Sequence, residues 1–169
     1  SMGFSALDGL PMGTRSGQID PGVLLYLMDH EGLSGPEISH ILYKESGLKG
    51  LSGISHDMRV LLASDAPEAA EAIEYYVFRL RREIGAMAAV LGGIDGLVFT
   101  GGIGENAAPI RAKTLSGLEF LGLELDQTAN HANGPDIGVG PVRVLVIPTN
   151  EEQVIARATL VAVGLATTV

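Results

Sequence analysis

The sequence has no cysteine. Neither a disulfide framework nor a thiolate metal site can therefore form. Its four histidines, His30, His40, His56 and His131, show no H-x-x-x-H spacing, which argues against a zinc site. Basic charge is scarce: eleven Lys and Arg stand against twenty Asp and Glu, a net charge of −9. That balance argues against sequence-independent nucleic-acid binding, which depends on clustered cations. It leaves room for a local anion site built from a few Arg residues and backbone amides. No apolar run reaches membrane-spanning length, and no basic segment followed by an apolar one opens the chain. A soluble cytoplasmic protein is expected. The apolar fraction of 46% against 18% charged residues excludes a disordered chain, and 169 residues suffice for one domain or parts of two. Ser1-Met2 reads as a tag remnant, and the residues after it begin inside a loop, so a fragment is expected.

The chain is organised around Leu97-Val98-Phe99-Thr100-Gly101-Gly102-Ile103-Gly104-Glu105-Asn106. A short apolar run stops at paired glycines, turns through a third and opens into a helix. Glycine allows positive φ and lets backbone approach a ligand closely. Amides at a helix start have no intrahelical partner and favour an anion. A tight turn with no ligand explains the same residues. No G-x-x-x-x-G-K-[ST] run is present, so these glycines need not wrap phosphates.

Before that stretch the spacing predicts helices. Residues 3–19 are loop-like, and Asp20-Pro21 reads as N-cap and first helical residue, with Val23, Leu24, Leu27 and Met28 on one face. Ser34-Gly35-Pro36-Glu37 opens a second helix carrying Ile38, Ile41 and Leu42 and stopped by Gly47. Residues 50–55 read as a Gly/Ser loop. Ser55 or Asp57 then caps a short helix through Met58, Leu61 and Leu62. From Asp65-Ala66-Pro67, apolar residues at spacings of three and four, from Ala69 to Leu91, predict an amphipathic helix of about 25 residues, roughly 37 Å long. Tyr75, Tyr76 and Met87 on it read as core or interface residues.

Beyond it, Leu97 to Thr100 is predicted as a strand buried on both faces. A helix is expected over residues 106–120, a polar connection over 127–140, and a second buried strand over 142–147. Thr149 and Glu152 have capping-box spacing for a last helix. Strands alternating with helices indicate an α/β fold, but so few strands leave sheet edges open, as in a partial domain.

Several residues carry candidate chemistry. Arg15, between Gly13 and Gly17, suits bidentate contact with phosphate or carboxylate oxygens, or is a solvated surface Arg. Asp57 and Arg59 could hold a nucleotide by hydroxyl, amino or stacking contacts; the plainer alternative is an N-cap Asp beside an exposed Arg. His56 reads as a lone surface histidine. Glu151, in the first turn of the last helix, is favoured there by the helix dipole and is also a natural Mg²⁺ or Mg²⁺-water ligand beside a triphosphate.

Taken together the motifs resemble the carboxyl-terminal part of the acetate kinase family, which includes propionate kinases. The likeness rests on Met12-Gly13-Thr14-Arg15-Ser16-Gly17 with Ile19-Asp20-Pro21, on Asp57-Met58-Arg59, on Phe99 through Asn106, on Gly117-Leu118-Glu119-Phe120-Leu121-Gly122, and on Ile147-Pro148-Thr149-Asn150-Glu151-Glu152. It implies a helix-rich α/β fragment of an actin-like (ribonuclease H-like) ATPase domain with an incomplete sheet. It implies ATP/ADP and Mg²⁺ as cofactors, acetate and acetyl phosphate as substrates, and a homodimer. Residues 3–150 would be the nucleotide and dimer side of the family's second domain, and 151–169 a terminal helix returning to the first. By the same resemblance Arg15 matches the arginine that stabilises the transition state. Asp57, Met58 and Arg59 match the nucleoside-contacting segment, Gly102, Ile103, Gly104, Glu105 and Asn106 the adenosine-side loop, and Glu151 the magnesium-binding glutamate. The family's amino-terminal half, with its catalytic aspartate and acyl-pocket arginine, is absent. This chain alone is expected to be inactive. Ala6, where the family usually has proline, and Gly101, where alanine is common, are minor departures.

Overall fold

Two short parallel strands, β1 (Gly96–Phe99) and β2 (Arg143–Val146), pair in register from Gly96 opposite Arg143 to Phe99 opposite Val146. The computed structural model describes residues 2–165, the Glu151 side chain excepted. Around the strands lie helices α1 (Pro21–Asp29), α2 (Gly35–His40), α3 (Gly47–Ser52), α4 (Met58–Leu62), α5 (Pro67–Leu91), α6 (Gly101–Asn106), α7 (Ala108–Leu115), α8 (Gln127–His131) and α9 (Glu151–Ala162). This is the helix-rich, strand-poor α/β fold expected, with an open sheet.

Local chemistry accounts for most starts. The Asp20 side chain accepts from the Gly22 amide and Pro21 begins α1. Ser34 and Glu37 form the capping box of α2, which runs on into a π-helical turn, Ile41–Glu45. That turn faces residues 12–16. Ser16 N–H donates to the Leu42 carbonyl (3.2 Å), and Thr14 Oγ1 donates to the Tyr43 carbonyl (2.8 Å).

Several expectations need correction. Residues 47–52 are helical rather than a stop and a loop, because the first amides of α3, those of Leu48 and Lys49, donate to the carbonyls of Met12 and Gly13 at 2.9 Å each. Tertiary bonding overrides composition there. Gly47 opens this helix at φ +62, where a Cβ would lie 2.1 Å from the Met12 carbonyl oxygen. The single helix expected over 106–120 divides into α6, α7 and a 3₁₀ turn, Glu119–Leu121. Pro109 cannot continue a helix from α6, since it lacks an N–H and crowds the carbonyl four residues back. The connection over 127–140 contains α8, capped by Asp126 accepting from Ala129, and two bridges, Leu125 to Gly138 and Asp136 to Leu145.

Burial also differs in places. Leu97 and Phe99 pair with Val144 and Val146 and pack on the core, whereas Val98 is 47% exposed. Each strand therefore buries one face, because the described helices cover only that side. On α1, no residue is buried, and Val23 and Met28 are exposed. The 25 residues of α5 match the expected length, and Ala69, Ile73, Val77 and Ala88 are buried as its spacing predicts. Tyr76 is half-buried, while Tyr75, Met87 and Leu91 are exposed and Arg79 is buried.

The core has two parts. One gathers Leu48, Met58, Leu61, Ile73, Val77 and Ile110 from α3, α4, α5 and α7. The other gathers Leu115, Leu123, Ile137, Val144 and Val146 beneath the strands. The helix α5 touches both, with Ile84 packed against the second.

Candidate functional site

Helices α4 and α6 face one another across a cleft of about 670 Å³. His56, Asp57, Met58, Arg59 and Leu62 line one wall, and Gly102, Ile103, Asn106, Ala107 and Pro109 the other. The second wall begins just past the carboxyl end of β1, and open α/β sheets bind ligands outside the carboxyl ends of their strands. Met58 is buried and anchors the first wall in the core, together with Leu61.

Asp57 is both a helix cap and a cleft residue. Its Oδ1 accepts from the Arg59 amide at 2.9 Å, and its carboxylate holds the Arg59 guanidinium through Nε (3.1 Å to Oδ1) and Nη2 (2.6 Å to Oδ2). The Arg59 guanidinium and then the Arg59 amide hold the Asp57 carboxyl down at about 2. The pair therefore stays ionised at neutral pH, with the Arg59 side chain 88% exposed at the cleft mouth.

The opposite wall is formed mainly by a six-residue helix of which half the residues are glycine. Asn106 Nδ2 donates to the Gly102 carbonyl at 2.9 Å, closing that turn. Gly104 and Glu105 lie away from the cleft. Gly104 sits against the Phe99 backbone. Glu105 Oε1 accepts from the Gly101 amide (2.8 Å), the Thr149 amide (2.9 Å) and Thr149 Oγ1 (3.0 Å). The Thr149 amide, then its hydroxyl and the Gly101 amide hold the Glu105 carboxyl below the usual range. Because the Thr149 hydroxyl is engaged there, it forms no capping box with Glu152. Asn150 caps α9 instead, accepting from the Gln153 amide at 2.9 Å.

Behind the glycine wall, Arg111 is fully buried. It donates to the Gly104 and Glu105 carbonyls (2.8 and 2.9 Å), to the Asn130 carbonyl and side chain (2.8 and 2.7 Å), and to Asn133 Oδ1 (2.6 Å). Burial pushes its pKa down from the usual arginine range.

Arg15 does not line the cleft. Its Nη1 donates to Met12 Sδ at 3.6 Å, and among the described residues no carboxylate pairs with it. Its loop abuts the cleft wall, since a Cβ on Gly13 would lie 2.9 Å from the His56 carbonyl oxygen. Glu151 is the first residue of α9, and its side chain lies outside the described residues. Among the described residues no three His, Asp or Glu side chains gather as a metal cage.

Residues 1–157 match the family model of the acetokinases. The chain belongs to the acetokinase family. It is 62% identical over 162 residues to the acetate kinase of Methylocella silvestris, which covers 95% of this chain and 40% of that protein. The acetate kinase of Rhodopseudomonas palustris is 52% identical over 164 residues, covering 93% of this chain and 40% of the relative. Among solved structures, Porphyromonas gingivalis acetate kinase superposes with a TM-score of 0.88 at 41% identity, covering 96% of this chain and 43% of that one. A propionate kinase from Francisella tularensis gives 0.87 at 42% identity, covering 93% and 42%. This acetokinase chain thus spans about two fifths of the length of the relatives it matches.

Of the residues singled out from sequence, the structure brings Asp57, Met58, Arg59, Gly102, Ile103 and Asn106 into one cleft. Gly104, Glu105 and Arg15 stand outside its lining. Sequence reasoning missed Arg111, whose partners Asn130 and Asn133 lie in another helix and the turn after it. No local spacing signals that arrangement. It also discounted His56, which lines the cleft, and assigned Thr149 to the wrong partner.

Proposed function

We propose that this acetokinase chain is the nucleotide-binding, carboxyl-terminal part of an acetate kinase, which transfers a phosphoryl group reversibly between ATP and acetate to give ADP and acetyl phosphate. The observation that carries this reading is the shared cleft: two segments far apart in sequence, one around Asp57 and one ending at Asn106, form its two walls. Met58, Leu62, Ile103 and Pro109 offer apolar surface to a nucleobase, and the Asp57 carboxylate offers acceptors to sugar hydroxyls. The Gly102 backbone passes close without a side chain. Gly104 and Glu105 shape the turn that carries this surface.

Mg²⁺ fits this chain as an ion that arrives with the nucleotide. The chain has no carboxylate cage among its described residues, and Mg²⁺ characteristically keeps waters and phosphate oxygens and takes one or two carboxylates. Glu151 is the carboxylate assigned to it. When bound, the ion neutralises charge on the transferring phosphates. Arg15, which pairs with no carboxylate among the described residues, is the cation assigned to the equatorial oxygens of that phosphoryl group. In this reading residues 3–150 are the nucleotide and dimer side of the second domain, and 151–169 the helix returning to the first. The exposed apolar residues Tyr26, Phe78 and Val90 support a homodimer. No helix among the described residues is long and apolar enough to cross a membrane, which accords with a cytoplasmic enzyme.

Propionate is the second substrate reading, favoured by the match to the Francisella propionate kinase. One methylene is worth only about 1–3 kcal/mol in an apolar pocket. Titration calorimetry with Mg-ADP tests the nucleotide site. Wild type binds, and Asp57→Ala and Asn106→Ala each weaken binding by about tenfold, as expected for loss of one or two polar contacts. Absence of heat from wild type at millimolar nucleotide would leave the chain a non-catalytic association module.

A further inference from the structure

We propose that Glu105 is a positioning residue that ties the turn after β1 to the turn after β2, so that nucleotide in the cleft and the placement of α9 are coupled through one carboxylate. The coupling to nucleotide rests on the reading above; the tie itself does not. Pairing of β1 and β2 ends at Phe99 and Val146, with one further bond, Ile147 N–H to the Phe99 carbonyl at 2.9 Å. Beyond that rung, among the described residues, the hydrogen bonds joining the two turns are those of Glu105 Oε1 to the Thr149 amide and hydroxyl. The same oxygen also takes the Gly101 amide. A single acceptor therefore sees the first residue of the glycine helix and the residue before the α9 cap.

The rest of α9 adds little to its own placement. Every described side chain from Glu152 to Leu165 is exposed, so the helix is held at its amino end. At the other end of the tie, Gly102 and Asn106 flank Glu105 closely and line the cleft, and Arg111 grips the Glu105 carbonyl at 2.9 Å. A ligand that orders Gly102 and Asn106 orders Glu105, and through it Thr149. Hydrogen bonds to an ionised acceptor are the strong ones, and three converge here.

The tie makes a spectroscopic prediction for the ligand-free chain. In ¹⁵N spectra, the Gly101 and Thr149 amides follow a single acid titration with one midpoint below the ordinary glutamate value. Glu105→Gln abolishes that titration at both amides. In Glu105→Ala, amide exchange over residues 150–157 accelerates by about 10- to 100-fold, as expected for loss of charge-assisted bonds. Glu105→Gln, which keeps an acceptor, restores part of the protection, and α5 amides stay unchanged as the control for folding. Different midpoints at the two amides, or equal exchange in wild type and Glu105→Ala, would overturn the tie. With each chain saturated by nucleotide, Mg-ADP then slows exchange over residues 150–157 in wild type but not in Glu105→Ala, and equal slowing in both would overturn the coupling. If wild type binds no nucleotide, the proposed function fails, while the titration and exchange still decide the tie.

Discussion

Arg111 carries its charge in the interior with no carboxylate partner among the described residues. A guanidinium has five N–H donors in a rigid fork, and all five hydrogen bonds go to neutral oxygens. Carbonyls at the end of α6 and of α8 supply three of those acceptors, and helix carboxyl ends carry partial negative charge. Arg111→Met would leave these oxygens unpaired, and a destabilisation of about 3 kcal/mol is expected from the desolvation cost of such groups. Urea unfolding would show it as a lower midpoint at unchanged slope. Lysine recovers little, because one ammonium cannot span the fork. The second residue-scale prediction concerns Asp57, whose carboxyl lies at about 2 instead of 3.8. A depressed carboxylate stabilises the folded form above its ordinary pKa, and that contribution disappears as pH falls through the folded value. The α4 cap is therefore constant from pH 5 to 8 and lost between about 4 and 2. The Arg59 amide shift would report it, and Asp57→Asn would flatten the curve.

Whole elements show where sequence reading succeeds. Helix starts were legible wherever one residue both breaks the preceding chain and caps the next, as at Asp20-Pro21, Ser34 with Glu37, and Asp57. The helix α5 was legible because its apolar spacing is sustained over seven turns' worth of chain. By contrast α3 was not, since glycines and serines at 47–53 read as loop until the carbonyls of Met12 and Gly13 arrive from far away in sequence. The glycine turn was legible as a turn but not as helix α6, because glycine masks apolar periodicity. Arg111 remained invisible because an isolated arginine in a helix ordinarily reads as surface. Gly47→Ala is expected to cost more than about 1 kcal/mol, combining positive φ with collision against backbone. Amide exchange at Leu48 and Lys49 should rise with it, and unchanged exchange there would contradict the account.

At the scale of the whole molecule, the cleft carries the residues proposed for a nucleotide and Arg15 is proposed for the transition state, while the catalytic aspartate and acyl-pocket arginine of the resemblance match no residue of this chain. The purified chain, given Mg-ATP and acetate, is expected to form no acetyl phosphate above blank in a hydroxamate assay, and a signal above blank would refute that. Nucleotide binding and turnover are thus expected to separate in this molecule, with the first present and the second missing. The two parts of the core do not separate in the same way. Because α5 contributes Ile73 and Val77 to one and packs Ile84 on the other, the helix carries the cleft wall and the strand layer on one rigid axis.

The π-helical turn at Ile41–Glu45 has a bearing on how such a chain can change over generations. A π turn is a helix that has absorbed an additional residue without shifting what lies on either side. Here Leu42 and Tyr43 stand among the turn's last four residues, whose carbonyls no helical amide takes, and they accept from Ser16 and Thr14, the residues flanking Arg15. Deleting one residue ahead of them would turn both carbonyls by about 100° about the helix axis, away from those donors. Length variation is therefore constrained at a place that carries no assigned contact with any ligand, and an alignment gap there would mark a lineage in which the arginine loop had found another support.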